Sequence, residues 1–377
     1  MKKKNILIIS YWAHINEPMS ILLNKYLPEL SCYYDITLIS AYDETGSPLK
    51  GRINNLEVKN NFENFDKILS KFFFNGFNVF WRIAVFRYFR KYLIRDEFSF
   101  VISFSEYLST ALVANRISRI KHVPHVAFFS DPLQSVVSLK FKNPLISASY
   151  FIAERFVVNN SSKIIMVNRE TALVSANYFN IDINRIHTLE HAYIEAQGVS
   201  AFISDKIVLN HVGNLYHTRD PSKFLNLLAD LRDKYALDIH VNLIGYVSDD
   251  IKSKILKFNN FITFFGSVSY QESLLYFNEC SYSLILDMND SKGLFTASKI
   301  MESFSVNKNF IAVGKRNSAL ERVTLQVGGC FVSNLSDSSQ DTDLYYFLTN
   351  VVALNSSYKE YHVSRQILRL VEFLESK

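Results

Sequence analysis

Side chains clustered just before residue 303 could together hold an anion and accept from sugar hydroxyls. In Phe295-Thr-Ala-Ser-Lys-Ile-Met-Glu302 a polar loop opens a helix, and an apolar strand follows through Gly314. Thr296 or Ser298 can cap the first free amides of that helix, and those amides with the helix dipole favour negative charge. Lys299 adds a full positive charge. Glu302, three residues on, shares its face one turn deeper, at roughly 5 Å. Cation and amides on phosphate, with a carboxylate accepting from two ribose hydroxyls, is what a nucleoside diphosphate requires. A solvated Lys/Glu surface pair has the same spacing, so the rest of the chain must decide between them.

The elements that would position these residues are set by the length and patterning of the chain. A sequence of 377 residues suits two domains of roughly 150–200 residues each. Its net charge of +5 and 20% charged content are too mild to announce a nucleic-acid binder, and no nucleic-acid partner is expected. Cys32, Cys280 and Cys330 are far apart and without CxxC spacing. They fit a reducing compartment better than a disulfide framework or a zinc site. The start, Met-Lys-Lys-Lys-Asn-Ile-Leu-Ile-Ile-Ser, predicts a first buried strand rather than a secretion signal. No apolar run is long enough to span a bilayer.

In the first half, Asn5–Ser10 and Asp35–Ser40 read as buried parallel strands joined by a helix from Pro18 to near Leu30. The loop between them lacks the glycine fingerprint of dinucleotide binders, and no P-loop occurs. Strands Phe98–Phe104, Pro124–Phe129 and Lys163–Val167 follow, separated by helices. Asp131 stands at the carboxyl end of the second of these, where open α/β sheets place ligands, and is the candidate for the acceptor side of a cleft. An Asp-Pro turn would also explain it.

Residues Lys71 to Arg95 are aromatic and basic without an acid. On a helical wheel Phe74, Trp81, Val85, Tyr88 and Tyr92 form a stripe, with Arg87, Arg90, Lys91 and Arg95 away from it. Such a helix can lie on an anionic membrane surface or pack into a core with a snorkelling basic rim.

The second half repeats the strand–helix alternation: Lys206–Val212, Asp238–Ile244, Phe261–Phe264 and Tyr282–Leu286 are strands, each closed by a Gly or a polar residue before a helix. A row of small polar loops along one sheet edge makes a nucleotide cleft. Gly213-Asn-Leu-Tyr with Arg219, Gly266-Ser-Val-Ser-Tyr-Gln-Glu-Ser-Leu274 and Ser298-Lys-Ile-Met-Glu302 resemble the donor half of GT-B glycosyltransferases, specifically the retaining group-1 (GT4) family. The similarity runs over essentially the whole chain in element order. It implies an α/β architecture of two Rossmann-like, doubly wound domains facing a central cleft. Residues 1–195 would bind acceptor, 206–356 would bind the nucleotide-sugar donor, and 357–377 would form a C-terminal helix packing back on the first domain.

By that resemblance Gly213 and Asn214 open a phosphate loop, Arg219 and Lys299 contact the diphosphate, Ser267 and Val268 wrap the base, and Ser298 and Glu302 complete the donor site. Arg219, Lys299 and Asp131 are then the catalytic candidates, with no metal or other cofactor. The chain departs from the family where the first acid of an acid-x7-acid motif would stand, at Leu294, and where an Arg commonly follows the loop glycine, at Asn214. In the first half Glu17-Pro18 and Ser130-Asp131 stand where the family often has a Gly-Gly pair and a histidine.

The expected activity is retaining transfer from a nucleotide sugar, a UDP-sugar first, to a lipid-linked or oligosaccharide acceptor in bacterial envelope polysaccharide synthesis. The expected place is the cytoplasmic face of the inner membrane, through 71–95. A non-hydrolysing nucleotide-sugar epimerase and a non-catalytic partner subunit of a glycosyltransferase are the alternatives.

Overall fold

A computed structural model describes all residues except 1–2, 14–17, 42–52, 70–77, 106–107, 138–143, 199–201, 217–218, 288–291, 334–338, 351 and 377. The chain divides into two compact units, Met1–Ala192 with Val363–Lys377, and Tyr193–His362.

The first unit runs β1 (Lys4–Ser10), α1 (Pro18–Leu30), β2 (Tyr34–Ala41), β3 (Asn54–Val58), α2 (Glu63–Leu69), α3 (Val79–Tyr88), β4 (Val101–Ser105), α4 (Leu108–Lys121), β5 (His125–Phe129), α5 (Gln134–Val137), α6 (Pro144–Asn160), β6 (Lys163–Met166), α7 (Arg169–Phe179) and β7 (Ile186–Thr188). Its seven-stranded sheet, ordered β3-β2-β1-β4-β5-β6-β7, is parallel throughout. The apolar runs of β1 and β5 are buried on both faces because helices cover both, which a parallel sheet requires.

The second unit runs β8 (Ile207–Val212), α8 (Ser222–Tyr235), β9 (Ile239–Ile244), α9 (Asp249–Ile255), β10 (Ile262–Gly266), α10 (Tyr270–Asn278), β11 (Tyr282–Leu286), α11 (Lys299–Ser305), β12 (Phe310–Gly314), α12 (Ala319–Val327), β13 (Cys330–Ser333) and α13 (Ser339–Thr349). Its six-stranded sheet has the order β10-β9-β8-β11-β12-β13, again parallel. The last helix, α14 (Val363–Glu375), returns to the first unit. Val363, Ile367, Leu370 and Leu374 recur at helical spacing and enter the core beside Leu23, Tyr26 and Leu27 of α1. Lys163 donates to the Leu374 and Ser376 carbonyls at 3.2 and 2.6 Å, a cation on the carbonyl end of the helix dipole.

The aromatic-basic segment differs from its wheel projection. The buried stripe is Trp81, Val85, Phe89 and Leu93, packed against Leu7, Ile9 and Ile39, while Tyr92 is exposed. Steps of four drift by about 40° each on an ideal α-helix, so this stripe would leave the core within a few turns. A π-type turn over Phe89–Leu93 widens the helix and keeps Phe89 and Leu93 inward where α-helical geometry would bring Tyr88 and Tyr92. The helix begins at Val79 and is capped from outside: the buried Asp66 carboxylate of α2 accepts from the Phe80 and Trp81 amides at 3.1 and 3.4 Å. Phe72, Phe73, Phe74 and Phe77 lie outside the described residues, as does Glu17.

Candidate functional site

In the second sheet the strand order reverses beside β8: β9 and β10 lie on one side, β11, β12 and β13 on the other. Connections leaving such a point run in opposite directions, so a crevice opens beyond the carboxyl ends of β8 and β11. Gly213 directly follows β8 and the buried Asp287 directly follows β11 there. The neighbouring loops are stitched by backbone: the Gly213 amide donates to the Ile244 carbonyl and the Gly245 amide to the Gly266 carbonyl, both at 2.7 Å. Asn214 accepts from the Tyr246 amide at 3.0 Å, so it ties the first loop to the second. Gly245 has φ +133° and a Cβ on it would lie 2.5 Å from the Gly213 carbonyl oxygen; only glycine permits that approach.

Two cations meet this crevice. A Cβ placed on Gly213 would sit 2.7 Å from the Lys299 ammonium and 3.3 Å from Nε2 of His211. The bare glycine therefore leaves room for both. His211 is buried on β8, and its Nδ1 donates to the Leu284 carbonyl of β11 at 2.9 Å, which fixes the tautomer and leaves Nε2 as a lone-pair acceptor. That Nε2 has no hydrogen-bond partner. Burial, then the nearby Lys299 charge, lower the His211 pKa to about 3, so the ring is neutral. Lys299 itself is lowered to about 8, first by burial and next by Arg219, with Glu302 opposing. The Arg219 guanidinium lies 5.6 Å from the Tyr216 ring centroid, and its buried Nε also lacks a partner. Repelling cations, one beside a neutral imidazole, make a place that an anion would stabilise.

Glu302 is buried on α11 and accepts from the Tyr270 hydroxyl at 3.2 Å. Burial and the Glu302 charge hold the Tyr270 phenol protonated, its pKa raised far above the usual value. Ser298 occupies the N-cap of α11, but its hydroxyl makes no cap bond. Instead the Ile300 and Met301 amides donate to the Ala297 and Ser298 carbonyls. The expected hydroxyl cap at Ser298 and a run of free amides are thus replaced by tight backbone turns, which spend those donors inside the chain. Ser267 is exposed after Gly266, and Val268 packs beside Val212, Ile244 and Phe277. Ser269 and Glu272 then form a capping box that fixes the start of α10.

Asp131 belongs to the first unit, exposed just past β5. The next turn is held by the buried Glu154, which accepts from the Gln134 and Ser135 amides at 2.7 and 3.1 Å. Leu294 is buried at 1% exposure. His211 and Tyr270 escaped sequence reasoning. His211 lies in a strand buried on both faces, where alternation gives no inward or outward signal, and Tyr270 reads only as an ordinary first-turn helix residue. Among the described residues no group of three or more His, Cys, Asp or Glu side chains could hold a metal ion.

Two parallel, doubly wound sheets with a strand-order reversal in each define the GT-B fold, and comparison with solved structures agrees. The chain is similar to sucrose-phosphate synthase from Thermosynechococcus elongatus at a TM-score of 0.71 and 10% identity, with 98% of each chain covered. It is similar to a lipopolysaccharide outer core galactosyltransferase at 0.67 and 11%, covering 98% of this chain and 99% of that one. The Anabaena protein HepE, in complex with UDP, gives 0.68 and 13%, covering 99% and 100%. No protein-family model matches the sequence, and no curated protein matches it by sequence.

Proposed function

We propose that the protein is a retaining glycosyltransferase of the group-1 type that takes a UDP-sugar as donor and needs no metal. The observation that carries this reading is the pair of cations at the strand-order reversal, Lys299 beside Gly213 and Arg219 near enough to lower its pKa. In the reaction the bond from the sugar's anomeric carbon to the β-phosphate oxygen breaks, and the diphosphate leaves with the electron pair. The acceptor hydroxyl oxygen forms the new bond on the same face and passes its proton to the departing β-phosphate oxygen. Charge growing on the leaving phosphate is what Lys299 and Arg219 would stabilise, and one fixed donor or cation is typically worth ~3 kcal/mol in such a step.

Glu302, buried and oriented by Tyr270, would accept from the ribose hydroxyls. Ser267 and Val268 would line the base, with Gly213, Asn214 and Ser298 completing the donor loop. Asp131 would serve the acceptor. Solved structures of the same fold support the reading, one of them in complex with UDP.

The proposed acceptor is a lipid-linked or oligosaccharide chain of envelope polysaccharide, reached from the inner face of the cytoplasmic membrane. Exposed Arg87, Arg90, Lys91 and Arg95 support that placement. So does the aromatic cluster of Phe62, Phe65 and Phe80 at the start of α3, in which Phe62 and Phe65 are 51% and 58% exposed. No described helix is long and apolar enough to cross a membrane.

A second reading, a non-catalytic partner subunit, is favoured by the buried Leu294 where the family's first acid would stand. Thermal shift with UDP, GDP and UDP-sugars, followed by UDP release assays, separates the two. Nucleotide binding with no UDP release against any glycan or lipid-linked acceptor supports the partner subunit; absence of nucleotide binding overturns both.

A further inference from the structure

The first unit carries a basic concavity of its own. Helices α3, α4 and α6 enclose a groove of about 540 Å³ into which Arg82, Arg87, Arg90, Arg116 and Arg119 all face, and among the described residues no Asp or Glu lines it. That volume is typical of small-ligand sites. Arginine stays ionised at any physiological pH, so these charges cannot relax by losing protons.

Asp66, whose charge acts on Arg82, is itself engaged elsewhere. Asp66 accepts from Asn60 Nδ2 at 2.7 Å and from the first amides of α3. Burial lowers the pKa of Arg82, Arg116 lowers it further, and Asp66 opposes them.

The guanidinium groups are also held in place. Arg116 lies 3.9 Å from the Phe86 ring centroid and Arg119 lies 5.7 Å from that of Phe156; Arg119 is further fixed by the Asn160 side chain. A guanidinium resting on an aromatic ring keeps N–H groups along its edge for an acceptor in its own plane. Arg116 and Arg119 sit three apart on α4, hence on one face, opposite the α3 arginines. Planar, charged forks converging from two helices match the oxygens of phosphate better than those of any neutral ligand.

We infer that the groove between α3, α4 and α6 is a binding site for an anion bearing two or more phosphate charges, separate from the donor site. Its chemistry is shared by a free polyphosphate and by a phospholipid headgroup. The apolar walls, Ile83, Leu112 and Phe156, suit the carbon portion of either source.

The experiment uses the full chain carrying Lys299→Met and Arg219→Gln, so that the second unit's cations do not bind the probe. Tripolyphosphate is titrated calorimetrically. In parallel, phosphatidylcholine vesicles with and without cardiolipin are sedimented with the protein. The comparison pair is Arg116→Gln/Arg119→Gln against Arg155→Gln/Arg169→Gln, two exposed positions of the same unit, which removes the same charge from outside the groove.

One-site tripolyphosphate binding that falls about tenfold or more in the groove variant, with the control variant within about twofold, supports the site with a soluble ligand. Cardiolipin-dependent sedimentation lost only in the groove variant supports it with a lipid ligand. Equal losses in both variants would reduce the effect to net charge and overturn the proposal, as would binding of neither probe. Arg119→Gln alone, at an exposed position, repeats the test if the double variant melts early.

Discussion

Lys299 and His211 share the space above Gly213: a Cβ there would lie 2.7 Å from the lysine ammonium and 3.3 Å from the histidine Nε2. Because His211 Nδ1–H donates to the Leu284 carbonyl, the imidazole presents the Nε2 lone pair, not a charge, to the ammonium. A neutral neighbour lets Lys299 remain protonated at neutral pH although it is partly buried beside Arg219. A protonated histidine in that place would push the lysine pKa lower still.

Nucleotide affinity should therefore follow Lys299. Below about pH 8 the ammonium is charged and UDP binding is insensitive to this group. Above it, affinity falls by up to about tenfold per pH unit, because the anion requires the protonated form and raises its pKa on binding. Calorimetric titration of UDP from pH 7 to 9.5 reads this. Lys299→Met should flatten the slope, weaken UDP and raise the melting temperature of the unliganded protein, since the buried cation is a cost until its anion arrives. An unchanged slope in Lys299→Met assigns the pH effect elsewhere.

Gly213→Ala separates ligand binding from folding. The added methyl meets only the flexible end of Lys299 and the edge of His211, so the melting temperature should change little. The ammonium must swing aside, however, and UDP affinity should drop about tenfold, the scale of one charge-assisted contact. Gly245→Ala is the contrasting case. Its methyl would meet backbone at φ +133°, and a loss of about 2–4 kcal/mol in urea unfolding is expected.

Glu302→Gln keeps the shape of the side chain and removes its charge. If Glu302 accepts from ribose, the variant should bind UDP about tenfold more weakly while binding of inorganic pyrophosphate is unchanged. Tyr270→Phe removes the hydroxyl that orients Glu302 and should give the same pattern at smaller size. Parallel losses for UDP and pyrophosphate would mean that Glu302 acts on the phosphates, through Lys299.

Turnover should fall roughly a hundredfold or more in Arg219→Ala and in Lys299→Ala, since each removes a cation that matters most as the diphosphate departs. EDTA should leave the rate unchanged. UDP release, measured with a glycan or lipid-linked acceptor, is the readout. Dispensable cations together with strong activation by Mn²⁺ or Mg²⁺ would transfer the phosphate chemistry to a metal.

Changing Arg87, Arg90, Lys91 and Arg95 to Gln should abolish preference for anionic over neutral liposomes, each basic residue being worth about 1 kcal/mol near an anionic surface. All four are exposed, so thermal stability and UDP binding should persist. If the parent ignores both kinds of liposome, α3 is ordinary packing and the acceptor is soluble.

Local sequence determined the elements. Apolar runs such as Ile6–Ile9 and Phe310–Val313 can only be strands buried on both faces, and strand-ending Gly213, Gly245 and Gly266 announce the loop row before any contact is known. The three-residue step from Lys299 to Glu302 likewise fixes a shared helix face. What the chain alone could not decide is which distant side chains converge. Arg219, Lys299 and His211 come from a loop, a helix start and a strand, and they meet because the strand order reverses beside β8, a property of the whole sheet. The buried stripe of α3 was set in the same way. Packing against β1 and β2 selected Phe89 and Leu93 over Tyr88 and Tyr92 through a π-type turn that helical periodicity does not contain. The groove arginines of α3 and α4 face one another for the same reason: burial energy summed over the core sets how helices pack, and that sum is absent from any local stretch of sequence.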